Sequence, residues 1–133
     1  MVLWQQGVRY ASHRMPKVLG PATHAAFDYA FAGSLFIMAA WLWKRNRRAA
    51  VGSLLCGGAT AANAILTDHP VGAVDLIDYK THARIDAGLA ALTAATPRLM
   101  GFANDDEARL FSVHALARTV VGSLTDFDDN PGK

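Results

Sequence analysis

Two histidines and two aspartates stand in a repeated pattern. Thr23-His24-Ala25-Ala26-Phe27-Asp28 returns 58 residues later as Thr81-His82-Ala83-Arg84-Ile85-Asp86. Leu66-Thr67-Asp68 returns as Leu124-Thr125-Asp126 at the same offset, which Asn46 and Asn104 also share. On a helix, residues four apart lie on one face, so each His sits one turn from its Asp. The repeat therefore gathers His24, Asp28, Asp68, His82, Asp86 and Asp126 into one candidate site, with His69 an unpaired addition. Two chemistries fit these residue types. In the first, the groups serve one another: His24 bonds Asp86 and His82 bonds Asp28, a reciprocal clamp that gives buried polar groups the partners they need. In the second, neutral imidazoles and carboxylates ligate zinc or another divalent first-row metal. The set lacks the Glu-x-x-His pattern of di-iron bundles. A haem bridged by His24 and His82 is a further alternative, with Gly33, Ala87, Gly88 and Ala90 leaving room but no attachment motif. Proton relay and lipid binding stay open.

Other chemistry-bearing residues read more plainly. Arg118 is placed to be an internal counter-ion for Asp28 or Asp86, or else to reach outward to an anionic headgroup. Arg84, two positions after His82, points elsewhere. His114 falls at the repeat position of Cys56, a pairing that reads as packing. Asp105-Asp106-Glu107 opens a helix, where carboxylates suit the dipole. Thr23 and Thr81 are candidate N-caps. The helix N-terminus disfavours a cation and keeps the histidines neutral. There is no nucleophile elbow, phosphate loop or dinucleotide fingerprint. An enzyme reading rests wholly on the His/Asp set.

The elements that position these residues are apolar blocks. Residues 22–43 have only His24 and Asp28 as strongly polar members and end in Trp41 and Trp43, followed by Lys44-Arg45-Asn46-Arg47-Arg48. A span of this length crosses a hydrocarbon core, and an aromatic belt before a basic cluster marks a cytoplasmic boundary. Residues 49–67 are rich in Gly and Ala, which lets helix backbones approach closely in lipid. Residues 81–100 and 107–124 are interrupted by His82, Arg84, Asp86, Arg109, His114 and Arg118. These two and 49–67 are rejected as lone membrane spans and are acceptable as inner faces of a bundle.

The expected fold is all-α: a four-helix transmembrane bundle of two tandem helical-hairpin repeats, 22–68 and 80–126, within one membrane domain, 22–127. A basic interfacial arm, 1–21, precedes it and a polar tail, 128–133, follows. The arm has no long apolar stretch of the signal-peptide type. The basic 44–48 loop puts both termini on the periplasmic side, although Arg9, Arg14 and Lys17 on the arm run against that orientation. The chain has 133 residues, 52% apolar and 18% charged, which excludes disorder, a coiled coil and a collagen-like fibre. One cysteine excludes a disulfide framework or a multi-Cys zinc site, and a net charge of +2 gives no footing for nucleic acid as a partner. Mean hydropathy is only +0.16, so the membrane expectation rests on where the apolar residues lie.

The stretch Ala64-Ile65-Leu66-Thr67-Asp68-His69-Pro70-Val71-Gly72, then Thr81-His82-Ala83-Arg84-Ile85-Asp86-Ala87-Gly88, then Pro97-Arg98-Leu99-Met100-Gly101-Phe102, resembles small bacterial membrane proteins of the SPW-repeat type. The resemblance covers about 22–126. It implies two tandem hairpins, four spans and the bacterial inner membrane, and brings no reaction with it. The chain departs from the pattern in its naming tripeptide. Thr96-Pro97-Arg98 keeps only the proline, and Met38-Ala39-Ala40 lacks it, with Trp41 one place late. The expected partners are the lipid bilayer and a larger membrane complex or further copies of the chain. The expected role is that of a structural or accessory subunit, with a metal- or haem-binding membrane enzyme or sensor as the alternative.

Overall fold

The computed structural model describes residues 17–67, 72, 73 and 75–125. Among these, the chain forms four helices: α1 (Pro21–Leu42), α2 (Arg47–Ile65), α3 (Tyr79–Leu99) and α4 (Ala108–Leu124). No strand is present among the described residues, only two isolated bridges. The fold is all-α, as the apolar blocks imply. Each helix begins within a few residues of its expected start. Residues 1–16 of the arm, Asp68, His69, Asp126 and the tail lie outside the described residues.

α1 and α2 pack as a hairpin through the tight 43–46 connection, α3 and α4 as a second one, and α2 lies against α3. Pro at N1 starts α1 after Gly20, with the ring pre-setting the first helical φ. Asn46 caps α2 by accepting from the Ala49 N–H at 3.2 Å. Asp78 caps α3, accepting from the Thr81 N–H and hydroxyl, both at 2.8 Å. Thr23 and Thr81 are therefore inside the first turn, not at N-cap as expected. A proline and an aspartate upstream are stronger start signals and set the N-cap three residues earlier in both helices, at Gly20 and Asp78. Gly101 ends α3 at φ +77°, and the Phe102 N–H returns to the Pro97 carbonyl at 2.8 Å.

The interior has two ends of different character. Near the 43–46 and 100–107 loops, Leu42, Ala49, Ala50, Phe102 and Phe111 form a buried apolar cluster. The rings of Phe102 and Phe111 meet edge to face with centroids 5.1 Å apart. Asn46 also ties the two loops together, donating to Asp105 at 2.8 Å and to Glu107 at 3.3 Å. The Asp105–Glu107 run thus joins the hairpins and gives α4 no side-chain cap. The opposite end is polar inside, and there the expected site residues meet.

Candidate functional site: a buried His/Asp/Arg cluster

His24 and His82 are each the fourth residue of their helix, and Asp28 and Asp86 the eighth. The shared i, i+4 spacing turns all four inward at the same level. Each is at least 95% buried. His82 Nε2 lies 2.9 Å from Asp28 Oδ2, which joins α3 to α1. His24 Nε2 lies 3.3 Å from the same oxygen, and 3.8 Å from Asp86 Oδ2. The clamp is thus made in one direction and is longer in the other. The reason is Arg118, 2% exposed, which draws Asp86 into a close ion pair and donates to Thr60 at 2.9 Å. Of the two roles open to Arg118, the structure takes the inward one, with Asp86 as the acid. Arg84 is exposed, as its spacing implies.

The other side of each imidazole is held by a threonine that the sequence reading passed over. His24 Nδ1 lies 2.7 Å from Thr125 Oγ1, and His82 Nδ1 lies 2.8 Å from Thr67 Oγ1. Both threonines belong to the repeated Leu-Thr-Asp motif, where attention falls on the more ionisable Asp. The two bonds are related by the same 58-residue offset as the motifs. Each threonine hydroxyl also donates to the carbonyl four residues back, Thr125 to Val121 at 2.7 Å and Thr67 to Asn63. Their main-chain N–H groups reach one residue less far, to Gly122 and Ala64. The hydroxyls therefore supply donors to last-turn carbonyls. A hydroxyl has one hydrogen. With it donated to the carbonyl, the oxygen can only accept, so Nδ1 of both histidines carries a proton and donates to its threonine. Nε2 is then the nitrogen that faces Asp28.

The cluster is closed from above by main chain and by one aromatic ring. The Leu19 N–H bonds the Leu124 carbonyl, and the Ile77 N–H the Leu66 carbonyl, both at 2.9 Å and again 58 residues apart. Tyr79, 2% exposed, stacks on His82 with centroids 5.9 Å apart and meets His24 edge-on at 6.4 Å. No sequence signal marked Tyr79 beyond its place one turn before His82. Farther along the bundle, at its surface, His114 Nε2 lies 3.1 Å from Ser34 Oγ and its ring stands edge-on to Phe31. Cys56 is buried, 3.5 Å from Thr96 Oγ1. Neither belongs to the cluster.

His24, Asp28 and His82 offer three ligand atoms within 4.8 Å of one another, a set that can hold a metal ion. Haem does not fit the same residues. Asp28 Oδ2 sits within 3.3 Å of both Nε2 atoms, in the slot a macrocycle would need. No family model, curated protein or solved structure matches the chain.

Proposed function

We propose that this chain is a small integral membrane protein built from two copies of one helical hairpin. Its polar cluster fastens the copies together, and the whole serves as a structural or accessory subunit of a larger membrane assembly. One observation carries the reading: the side chains are distributed inside out. Among the described residues, thirteen buried ones are polar or charged, including Arg118, His24, His82, Asp28 and Asp86, and the buried apolar ones are dominated by alanine. Outside the Leu42, Phe102 and Phe111 cluster, many large apolar side chains point outward, with Ile37 73%, Leu55 63%, Val113 66% and Leu116 62% exposed. Water would penalise that arrangement on both faces, whereas lipid favours the outer one.

Further features support the reading. α1 has 22 residues, about 33 Å at 1.5 Å per residue, and is long and apolar enough to cross a membrane by length and composition. It alone among the described helices passes that test. Exposed charges sit at helix ends: Arg47 and Arg48 open α2, Lys80 and Arg84 lie in the first turns of α3, Arg98 is in its last, and Arg109 starts α4. Arg45 stacks over Trp41 at 4.3 Å and Arg47 over Trp43 at 4.0 Å, an arrangement suited to the headgroup layer of a cytoplasmic face. The SPW-repeat resemblance belongs to the same reading. The 58-residue offset, which recurs in the His–Thr bonds and in the paired main-chain bonds, supports it.

The test is fractionation followed by extraction. The full chain is expected to stay with membranes through an alkaline carbonate wash, to need detergent for release, and to bring partner subunits with it in mild detergent. A monodisperse protein in the aqueous fraction would overturn the membrane reading. A detergent-solubilised monomer with no companion would overturn the subunit role.

A further inference from the structure

With both imidazoles neutral, the cluster holds more negative charge than its own cation balances. Asp28 and Asp86 face one guanidinium, that of Arg118. The two threonines fix both imidazoles with Nδ1–H turned outward, so both Nε2 atoms converge on Asp28 Oδ2, at 3.3 and 2.9 Å. Asp28 Oδ1, equally buried, accepts no hydrogen bond among the described residues. Ring nitrogens with outward N–H and a carboxylate gathered at one point are arranged to receive a cation. Metal-bound histidines characteristically donate their other N–H to an oxygen that fixes the ring, which is what Thr125 and Thr67 do here. In a tetrahedral zinc site with bonds of about 2.0–2.1 Å, neighbouring ligand atoms lie about 3.3 Å apart, close to the spacing of His24 Nε2 and Asp28.

We propose that His24 Nε2, His82 Nε2 and Asp28 bind one divalent first-row metal ion, with zinc the best match and Asp86 Oδ2, 3.8 Å from His24 Nε2, the nearest further donor. The ion takes ligands from α1 and from α3, so it staples one hairpin to the other. The proposal rests on the fastening role assigned to the cluster and is independent of the membrane location. Arg118 holds Oδ1 of Asp86, and Oδ2 is left facing His24. With Tyr79 and the 19–124 and 66–77 main-chain bonds closing the cluster, the ion is sealed in and its role is structural.

The experiment uses the full chain purified without chelator, followed by elemental analysis and by back-titration of the stripped protein with Zn2+ and with Co2+. About one metal per chain is expected, together with the intense visible absorption of four-coordinate cobalt. His82→Ala should abolish both signals. Because that variant can lose its fold, Thr125→Val and Thr67→Val are the second measurement. They keep every ligand and are expected to weaken Zn2+ binding by about 10–100-fold while circular dichroism stays helical. A helical protein that carries no metal and takes up neither ion would overturn the proposal. So would unchanged affinity in both threonine variants. If His82→Ala is destabilised even in excess chelator, the clamp stands without the metal. If the metal binds but His82→Ala is as stable as the stripped parent, the fastening role falls instead.

Discussion

Arg118 decides the asymmetry of the cluster. A guanidinium that is 2% exposed is tolerable only beside a carboxylate, and Asp86 supplies it. Arg118→Leu leaves Asp86 buried without its cation and should cost about 3–5 kcal/mol of stability. The double variant Asp86→Leu/Arg118→Leu should recover most of that loss. Chemical unfolding in a fixed detergent measures both, and a single variant as stable as the parent would remove the ion pair from the account. Thr125→Val and Thr67→Val each take the acceptor from a buried imidazole N–H. Each should cost about 1–3 kcal/mol. The two losses should not add, because both rings meet on Asp28 Oδ2 and loosening one frees the other.

Helix starts and helix contacts set where those residues stand. Asp78 positions the first turn of α3, and with it His82, by accepting from the Thr81 N–H and hydroxyl. The backbone bond from Thr81, then its side-chain bond, hold the Asp78 carboxyl below its ordinary value. A group depressed on folding stabilises the folded state above its ordinary pKa and loses that effect as the pH falls through its folded value. Amide exchange in the first turn of α3 should therefore stay slow through the ordinary carboxylate range and accelerate only in stronger acid. Asp78→Ala should exchange fast at every pH. At the other end of the bundle, Gly52 lets α2 approach α3. A Cβ there would meet Thr96 Cγ2 at 2.7 Å and Met100 Sδ at 3.1 Å. Gly52→Val should wedge the helices apart and lower stability by about 1–3 kcal/mol in thermal melts.

For the whole molecule, the distribution of side chains makes opposite forecasts for the two possible solvents. Val113 and Leu116 lie on the exposed face of α4, about one and two turns beyond Arg109. In lipid, a lysine at either position is expected to oppose insertion by about 2.5–3.5 kcal/mol near mid-span. Val113→Lys/Leu116→Lys should then be lost from the membrane fraction and degraded. In water, the same change would cover an apolar patch with charge and raise yield and solubility. Expression with fractionation separates the two, and a more soluble, well-folded double variant would count against the membrane reading.

Much of the fold and of the site is local and therefore legible in the chain itself. Four apolar blocks separated by short polar connections specify four helices, and the i, i+4 spacing puts each His above its Asp on one face. A fixed 58-residue offset says which positions should be equivalent. The fold adds what spacing cannot carry. Asp86 turned to Arg118 in preference to His24 because two buried charges of opposite sign attract more strongly than an acid and an imidazole. Thr67 and Thr125, the quiet members of their motif, became the groups that orient the rings, because helix ends leave carbonyls that a hydroxyl can reach. Tyr79 entered the site because α3 begins two residues early. Each of these outcomes depends on distances across helices from opposite ends of the chain. A sequence fixes which residues share a helix face, and only packing decides which faces meet.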